Sequence, residues 1–105
     1  MNKFYTLTVG GEEYKLRLTA SAMMQIEKRL GKPLFNALEN IQENMIETVV
    51  TIIWGALQPL NANMPYEKAM ALFDDYIDDG HSIEDLMLEI NGLFEASGFF
   101  KKGQA

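Results

Sequence analysis

The segment from Met45 to Leu57 constrains this chain most, because a helix over these residues would be apolar around almost its whole circumference. Its only polar strip consists of Glu47, Thr48 and Thr51. The segment is well short of the roughly 20 apolar residues that a membrane span needs, so we expect no membrane insertion. A helix of this kind belongs in the middle of a small bundle, with amphipathic segments packed around it.

The first eighteen residues have the alternation of a β-hairpin. Gly10-Gly11 can supply the positive φ that a two-residue hairpin turn requires. Pairing across this turn places Tyr5 opposite Leu16 on a mostly apolar face and leaves threonines and charged residues on the other face. A slip of one residue would mix the two faces, so the sequence predicts a hairpin over residues 1–18 with this register.

Four other helical segments follow the hairpin. Gly31 ends the first, Pro33 opens the second, and Pro65 opens the fourth. Ser82, with Asp85 three residues later, is an acidic variant of the capping box that begins the fifth. The sequence therefore predicts one domain over residues 1–105, with a helical bundle over 20–98 and a tail over 99–105. The fold class is mainly α, with an N-terminal β-hairpin followed by about five helices (α+β by strict count).

Core positions follow from the helical periodicity. Trp54 lies on the most apolar helix, and we expect it to be buried. The expected inner stripe of the fourth helix is Tyr66, Met70, Phe73 and Ile77, with Ala69, Leu72 and Tyr76 beside it, and that of the fifth is Ile83, Leu86, Met87, Ile90, Leu93 and Phe94.

No set of residues has the spacing of a catalytic or metal-binding site. The chain has no cysteine, which excludes a disulfide, a thiolate metal site and a cysteine nucleophile. Its single histidine, His81, lies in an acidic turn, and we interpret it as a solvated loop residue. The Asp-rich run ending at Gly80 fails as a calcium loop, because Ile77 and Leu86 occupy two ligand positions. We therefore expect no enzymatic activity, no metal and no cofactor.

The charge is divided unevenly along the chain. The net charge of −6 combines +3 over residues 1–32, −11 over residues 33–99 and +2 from Lys101 and Lys102. This acidity disfavours nucleic acid as a partner, because such binding depends on Lys and Arg. The asymmetry predicts head-to-tail attraction between copies, with a solvated acidic surface as the alternative. The two free edges of a lone hairpin offer another route to self-association, so we expect a homo-oligomer.

Large apolar residues crowd the end of the last predicted helix. Aromatic residues in a terminal tail either fold back onto the core or contact a partner, and the sequence leaves both alternatives open. Aromatic side chains dominate the energetics of many interfaces. The candidate protein-binding residues are therefore Leu93, Phe94, Phe99 and Phe100.

The order of these motifs has a family counterpart. The hairpin YTLTVGG to YKLRLT leads into a helix with IEKRLGKPL, and a buried helix with IWGAL follows. Over most of its length the chain resembles the tail assembly chaperones of long-tailed bacteriophages and prophages, particularly those of Gram-positive hosts. The resemblance implies a non-enzymatic, oligomer-forming protein of the host bacterial cytoplasm. It also implies that the chain solubilises the tape-measure protein and yields to the tail-tube protein during assembly.

A rival function also fits the composition. The −11 carried by residues 33–99 would suit an acidic phage-encoded inhibitor that mimics nucleic acid and blocks a DNA-binding enzyme. Two features count against this alternative. The acids are interrupted by a nearly continuous core pattern, and a net charge of −6 is modest for a phosphate mimic.

Overall fold

A computed structural model describes residues 3–99 of the chain. It contains a two-stranded antiparallel hairpin followed by five α-helices, which confirms the predicted fold class. A single 3₁₀ turn over Ile41–Glu43 connects the second helix to the third. The elements are β1 (Phe4–Val9), β2 (Glu12–Arg17), α1 (Ala20–Leu30), α2 (Leu34–Glu39), α3 (Met45–Leu57), α4 (Tyr66–Asp78) and α5 (Ile83–Ser97).

The hairpin has the predicted register. Tyr5 pairs with Leu16, and every other pair follows from the same two-residue turn. Gly10 and Gly11 have φ values of 59° and 81°, which an L side chain rarely adopts and glycine adopts freely. The Gly10 N–H donates to the carboxylate of Asp79, 2.6 Å away at the end of α4. This bond joins the hairpin turn to the helical bundle.

Helix α3 lies at the centre of the fold, as its sequence predicts. It packs against α1, α4, α5 and β2. Two members of its polar strip also face inward: Thr48 and Thr51 are buried, whereas Glu47 is exposed. The Thr51 hydroxyl lies 2.9 Å from the Tyr66 hydroxyl of α4. Within residues 3–99, neither α3 nor any other helix combines the length and hydropathy of a membrane span.

Helix α4 is rotated relative to the predicted stripe. Ala69, Leu72 and Tyr76 are its buried residues, whereas Met70, predicted to face inward, is 43% exposed. Phe73 and the other members of the predicted stripe are only partly buried at its margin. The two adjacent stripes are both apolar, so periodicity alone does not decide between them.

The boundaries of α5 match the expected capping signals. The Ser82 hydroxyl accepts from the Asp85 N–H at 3.1 Å, and the Asp85 carboxylate accepts from the Ser82 N–H at 2.9 Å. This reciprocal pair is a capping box. Gly98 follows the helix with a φ of 83°, in the left-handed conformation that ends many helices.

Candidate functional site

The structure describes three of the four predicted protein-binding residues, and these three differ in exposure. Leu93 and Phe94 are 0% and 3% exposed, so in the isolated chain they belong to the core. Phe99 is 52% exposed, and Phe100 lies outside the described residues. The helix continues to Ser97, whose hydroxyl donates to the Phe94 carbonyl and accepts from the Phe99 N–H. Of the described members of this set, only Phe99 is available to a partner.

Strand β1 runs antiparallel along α5. The Tyr5 ring fills the space beside Gly92, where an added Cβ would lie 2.6 Å from a ring carbon. The Lys3 side chain lies beside Gly98, at the C-terminal end of α5. Leu88 is 71% exposed and borders the same hollow as Tyr5, and Phe99 follows the end of the helix. We call the surface formed by Lys3, Tyr5, Leu88, Gly92 and Phe99 the β1–α5 seam.

A carboxylate with two tyrosine donors joins three elements beneath this seam. Glu89 of α5 accepts hydrogen bonds from the hydroxyl of Tyr5 on β1 and from that of Tyr76 on α4, the latter at 3.1 Å. Burial, and then the hydrogen bond and negative charge of Glu89, raise the pKa of Tyr5 to about 12. Burial and Glu89 also raise the pKa of Tyr76. Both hydroxyls therefore remain neutral donors at neutral pH.

His81 lies at the edge of this cluster. Its ring stacks on the Tyr76 ring, with centroids 4.4 Å apart and planes 21° apart, and Nδ1 is 3.9 Å from the Asp85 carboxylate. The hydrogen bond from the Ser82 backbone is the main reason that the pKa of Asp85 lies below its usual value. No group of three potential metal ligands occurs within residues 3–99. The cluster around Glu89 therefore serves as a structural junction that joins β1, α4 and α5.

Trp54 is less buried than its helix predicts. It lies at the margin of α3 with its ring edge-on to Tyr66, at a centroid distance of 5.9 Å and an interplanar angle of 62°. The Arg29 guanidinium of α1 covers both rings, 3.7 Å from the Tyr66 centroid and 5.0 Å from that of Trp54. The expectation that Trp54 is buried is therefore met only in part: its ring is partly buried against the core, and the Arg29 guanidinium lies over it.

An exposed surface on α1 continues from Trp54. Two adjoining hollows share Gln25 and Lys28, and Met24, which lines one of them, is 69% exposed. This surface is not among the sequence predictions, although Met24, Gln25 and Lys28 follow Ser21 by three, four and seven residues, the spacing of one helix face. We call this surface the α1 groove, and it is formed by Ser21, Met24, Gln25, Lys28, Arg29 and Trp54.

The chain belongs to the family of unknown function DUF6096, whose family model matches residues 2–105. Neither a curated protein nor a solved structure matches the chain. The family description assigns no activity, so the two exposed surfaces and the sequence resemblance provide the basis for a functional proposal.

Proposed function

We propose that this DUF6096 protein is a non-enzymatic tail assembly chaperone of a bacteriophage or prophage, acting in the host bacterial cytoplasm. In this role it binds the tape-measure protein, keeps its apolar helical segments soluble, and releases them to the tail-tube protein. It also self-associates. The observation that carries the proposal is the β1–α5 seam, which leaves Leu88 and Phe99 exposed by 71% and 52%. The resemblance of the hairpin, IEKRLGKPL and IWGAL motifs supplies the independent support.

The seam has dimensions that suit a partner helix. The stretch of α5 from Leu88 to Ser97 is roughly 14 Å long at about 1.5 Å per residue, and Phe99 follows just beyond the end of the helix. A partner helix of about three turns would cover this length of α5. The half-buried Tyr5 ring lies beside Gly92 within this stretch and adds aromatic area to the contact. Such a surface binds apolar helical segments through burial of area, without requiring one sequence.

Other exposed apolar side chains lie outside the seam. Single exposed apolar residues are common in soluble proteins, so no one of them is evidence of binding. We favour the seam because two of them border the same pair of elements. Besides Leu88 and Phe99, the described residues expose Met24, Phe35, Ile46, Leu60 and Met70 by 43% or more.

The rival function as a nucleic-acid mimic has weaker support. A mimic needs carboxylates that are free to occupy the positions of phosphates. Asp79 is instead bonded to the hairpin turn at Gly10, and Asp85 is bonded to the start of α5 at Ser82. Glu89 accepts two tyrosine hydroxyls. These acids hold the fold together, which reduces the number available to a DNA-binding enzyme.

Co-expression with the tape-measure protein of the same genome tests the proposal. We expect the wild-type chain to increase the soluble fraction of that protein and to co-purify with it. The double variant Leu88→Ser, Phe99→Ser should lose most co-purification while its melting curve changes little, because both side chains are exposed. Ile46→Ser, at an exposed position on α3, is the matched control and should bind normally.

Each outcome of this experiment has a distinct meaning. A wild-type chain that neither solubilises nor co-purifies the tape-measure protein contradicts the proposed function. Normal binding by the Leu88→Ser, Phe99→Ser variant places the binding surface outside the seam. A separate Phe100→Ser variant tests the remaining member of the predicted set.

A further inference from the structure

We propose that the α1 groove of one copy binds the outer face of α4 on a second copy. The occupant is therefore this chain itself, and the contact combines one apolar pair with opposite charges. The inference deepens the self-association included in the proposed function. It does not depend on binding to a tape-measure protein.

The α1 side of this contact is apolar and basic. Met24 is 69% exposed, and Lys28 follows it by four residues, so both project from the same face of the helix. Arg29 borders the groove but already lies over the rings of Trp54 and Tyr66. Throughout residues 3–99 the one ion pair within 4.0 Å joins His81 to Asp85, so Lys28 has no carboxylate partner there. The groove therefore offers an apolar centre with a free positive charge beside it.

The α4 side is apolar and acidic. Met70 is 43% exposed, the result of the helix rotation that turns Ala69 inward. Glu67 precedes Met70 by three residues and Asp74 follows it by four, so all three share one exposed face of α4. Neither carboxylate forms an ion pair with a lysine or arginine of the described range. This face of α4 therefore offers an apolar centre with free negative charges beside it, which is complementary to the α1 groove.

The two faces complement each other in charge and in apolar character, and within one chain α1 contacts α4 through Arg29 and the Tyr66 ring. Both α1 and α4 pack on α3, and no ion pair joins them. In the proposed contact Met24 packs against Met70, whose flexible side chains adapt well to each other. Lys28 then lies near Asp74, since each residue follows its methionine by four positions and packed helices are about 8–10 Å apart.

The use of two different faces has a consequence for assembly. A copy that receives α4 in its groove still has its own α4 face free. Contacts of this heterologous kind continue into a ring or a chain of copies. The charge distribution agrees, because residues 1–32 carry +3 and residues 33–99 carry −11.

Charge reversal in sedimentation experiments on the purified chain tests the contact. We expect the average molecular mass of the wild-type protein to increase with protein concentration at low ionic strength. Near 1 M salt, where the Debye length is about 3 Å, this increase should be lost. Lys28→Glu and Asp74→Lys should each raise the dissociation constant at least about tenfold through repulsion between like charges. The dissociation constant of the double variant should return to within about threefold of the wild-type value, because the two reversed charges attract each other again.

Matched controls separate this contact from a general effect of net charge. Arg17→Glu on the hairpin changes charge as Lys28→Glu does, and Glu43→Lys in the turn before α3 matches Asp74→Lys. Both controls should associate normally, whereas Met24→Ser should weaken association without changing any charge. Melting curves show whether each variant is folded.

Three results would overturn the inference: a wild-type protein that stays monomeric at high concentration, controls that weaken association as much as the reversals, or a double variant no better than the singles. The sedimentation experiments contain no tape-measure protein. A failure of the proposed self-contact would therefore leave the proposed binding of the tape-measure protein untouched.

Discussion

The Tyr5 hydroxyl donates a hydrogen bond to the Glu89 carboxylate, and this bond joins residues 84 positions apart. It links the first strand of the chain to its last helix. A two-stranded hairpin has marginal stability by itself, so this one depends on its contacts with the helices. The same carboxylate accepts a bond from Tyr76 at 3.1 Å, which brings α4 into the junction.

Removal of this hydroxyl should destabilise the fold. We expect Tyr5→Phe to lower the free energy of unfolding by about 1–2 kcal/mol, because a hydrogen bond to a charged acceptor is lost. Tyr14→Phe is the matched control: its hydroxyl bonds Glu12, an exposed neighbour two residues away, and its loss should cost less than about 0.5 kcal/mol. Denaturant unfolding of the three proteins measures the difference. Equal losses would show that the Glu89 junction contributes nothing particular.

Stability should fall at alkaline pH. The native state raises the pKa of Tyr5 from 10.0 to about 12, and it raises that of Tyr76 as well. Between these values the unfolded chain releases protons that the native chain retains, so unfolding becomes more favourable as pH increases. The contribution is complete below pH 10 and is lost as pH rises through about 12.

Unfolding free energies measured over a series of alkaline pH values test this dependence. Tyr5→Phe removes one of the two shifted groups, so its stability should decline less steeply with pH than that of the wild type. An identical slope in the two proteins would contradict the role given to Tyr5.

Local patterns were sufficient to predict the hairpin and the helix boundaries. The register follows from Gly10-Gly11, because a two-residue turn and a period of two permit one pairing that keeps the faces separate. The capping box of α5 follows from Ser82 and Asp85, because both partners lie within one turn. These features depend on residues close in sequence.

Features that depend on tertiary packing could not be predicted in the same way. Glu89 adjoins the apolar stripe of α5, yet nothing local identifies Tyr5 and Tyr76 as its donors. The rotation of α4 likewise depends on which of two apolar stripes fits α3. The exposed position of Met70, and with it the acidic face proposed to bind a second copy, becomes visible only after that choice.

Trp54 and Ile53 are neighbours on α3 with different surroundings. Ile53 is 1% exposed, whereas Trp54 is only partly buried beneath Arg29. We therefore expect Ile53→Ala to cost about 3–4 kcal/mol and Trp54→Ala about 2 kcal/mol, although tryptophan is the larger side chain. Denaturant melts of both variants give the order. A larger loss for Trp54→Ala would mean that its contacts with Arg29 and Tyr66 stabilise the fold more than burial does.

Helix α1 packs tightly against α3 at Gly55, where Ile26 and the Ala22 carbonyl lie beside the glycine. A Cβ added there would overlap the Cγ1 atom of Ile26 and lie 3.3 Å from the Ala22 carbonyl oxygen. Alanine favours a helix over glycine by about 1 kcal/mol, but a clash in a packed core costs about 1–3 kcal/mol. We expect the clash to prevail, because Ile26 is fully buried and one of the contacts is backbone.

A double-mutant cycle separates these two effects of Gly55→Ala. In the wild-type background the substitution should destabilise the fold by about 1–2 kcal/mol. Ile26→Ala removes the overlapping atoms, so in that background Gly55→Ala should be neutral or stabilising through helix propensity. Denaturant unfolding of the four proteins gives the coupling energy. An equal cost in both backgrounds would show that the Ala22 backbone, and not the Ile26 side chain, limits the approach of the two helices.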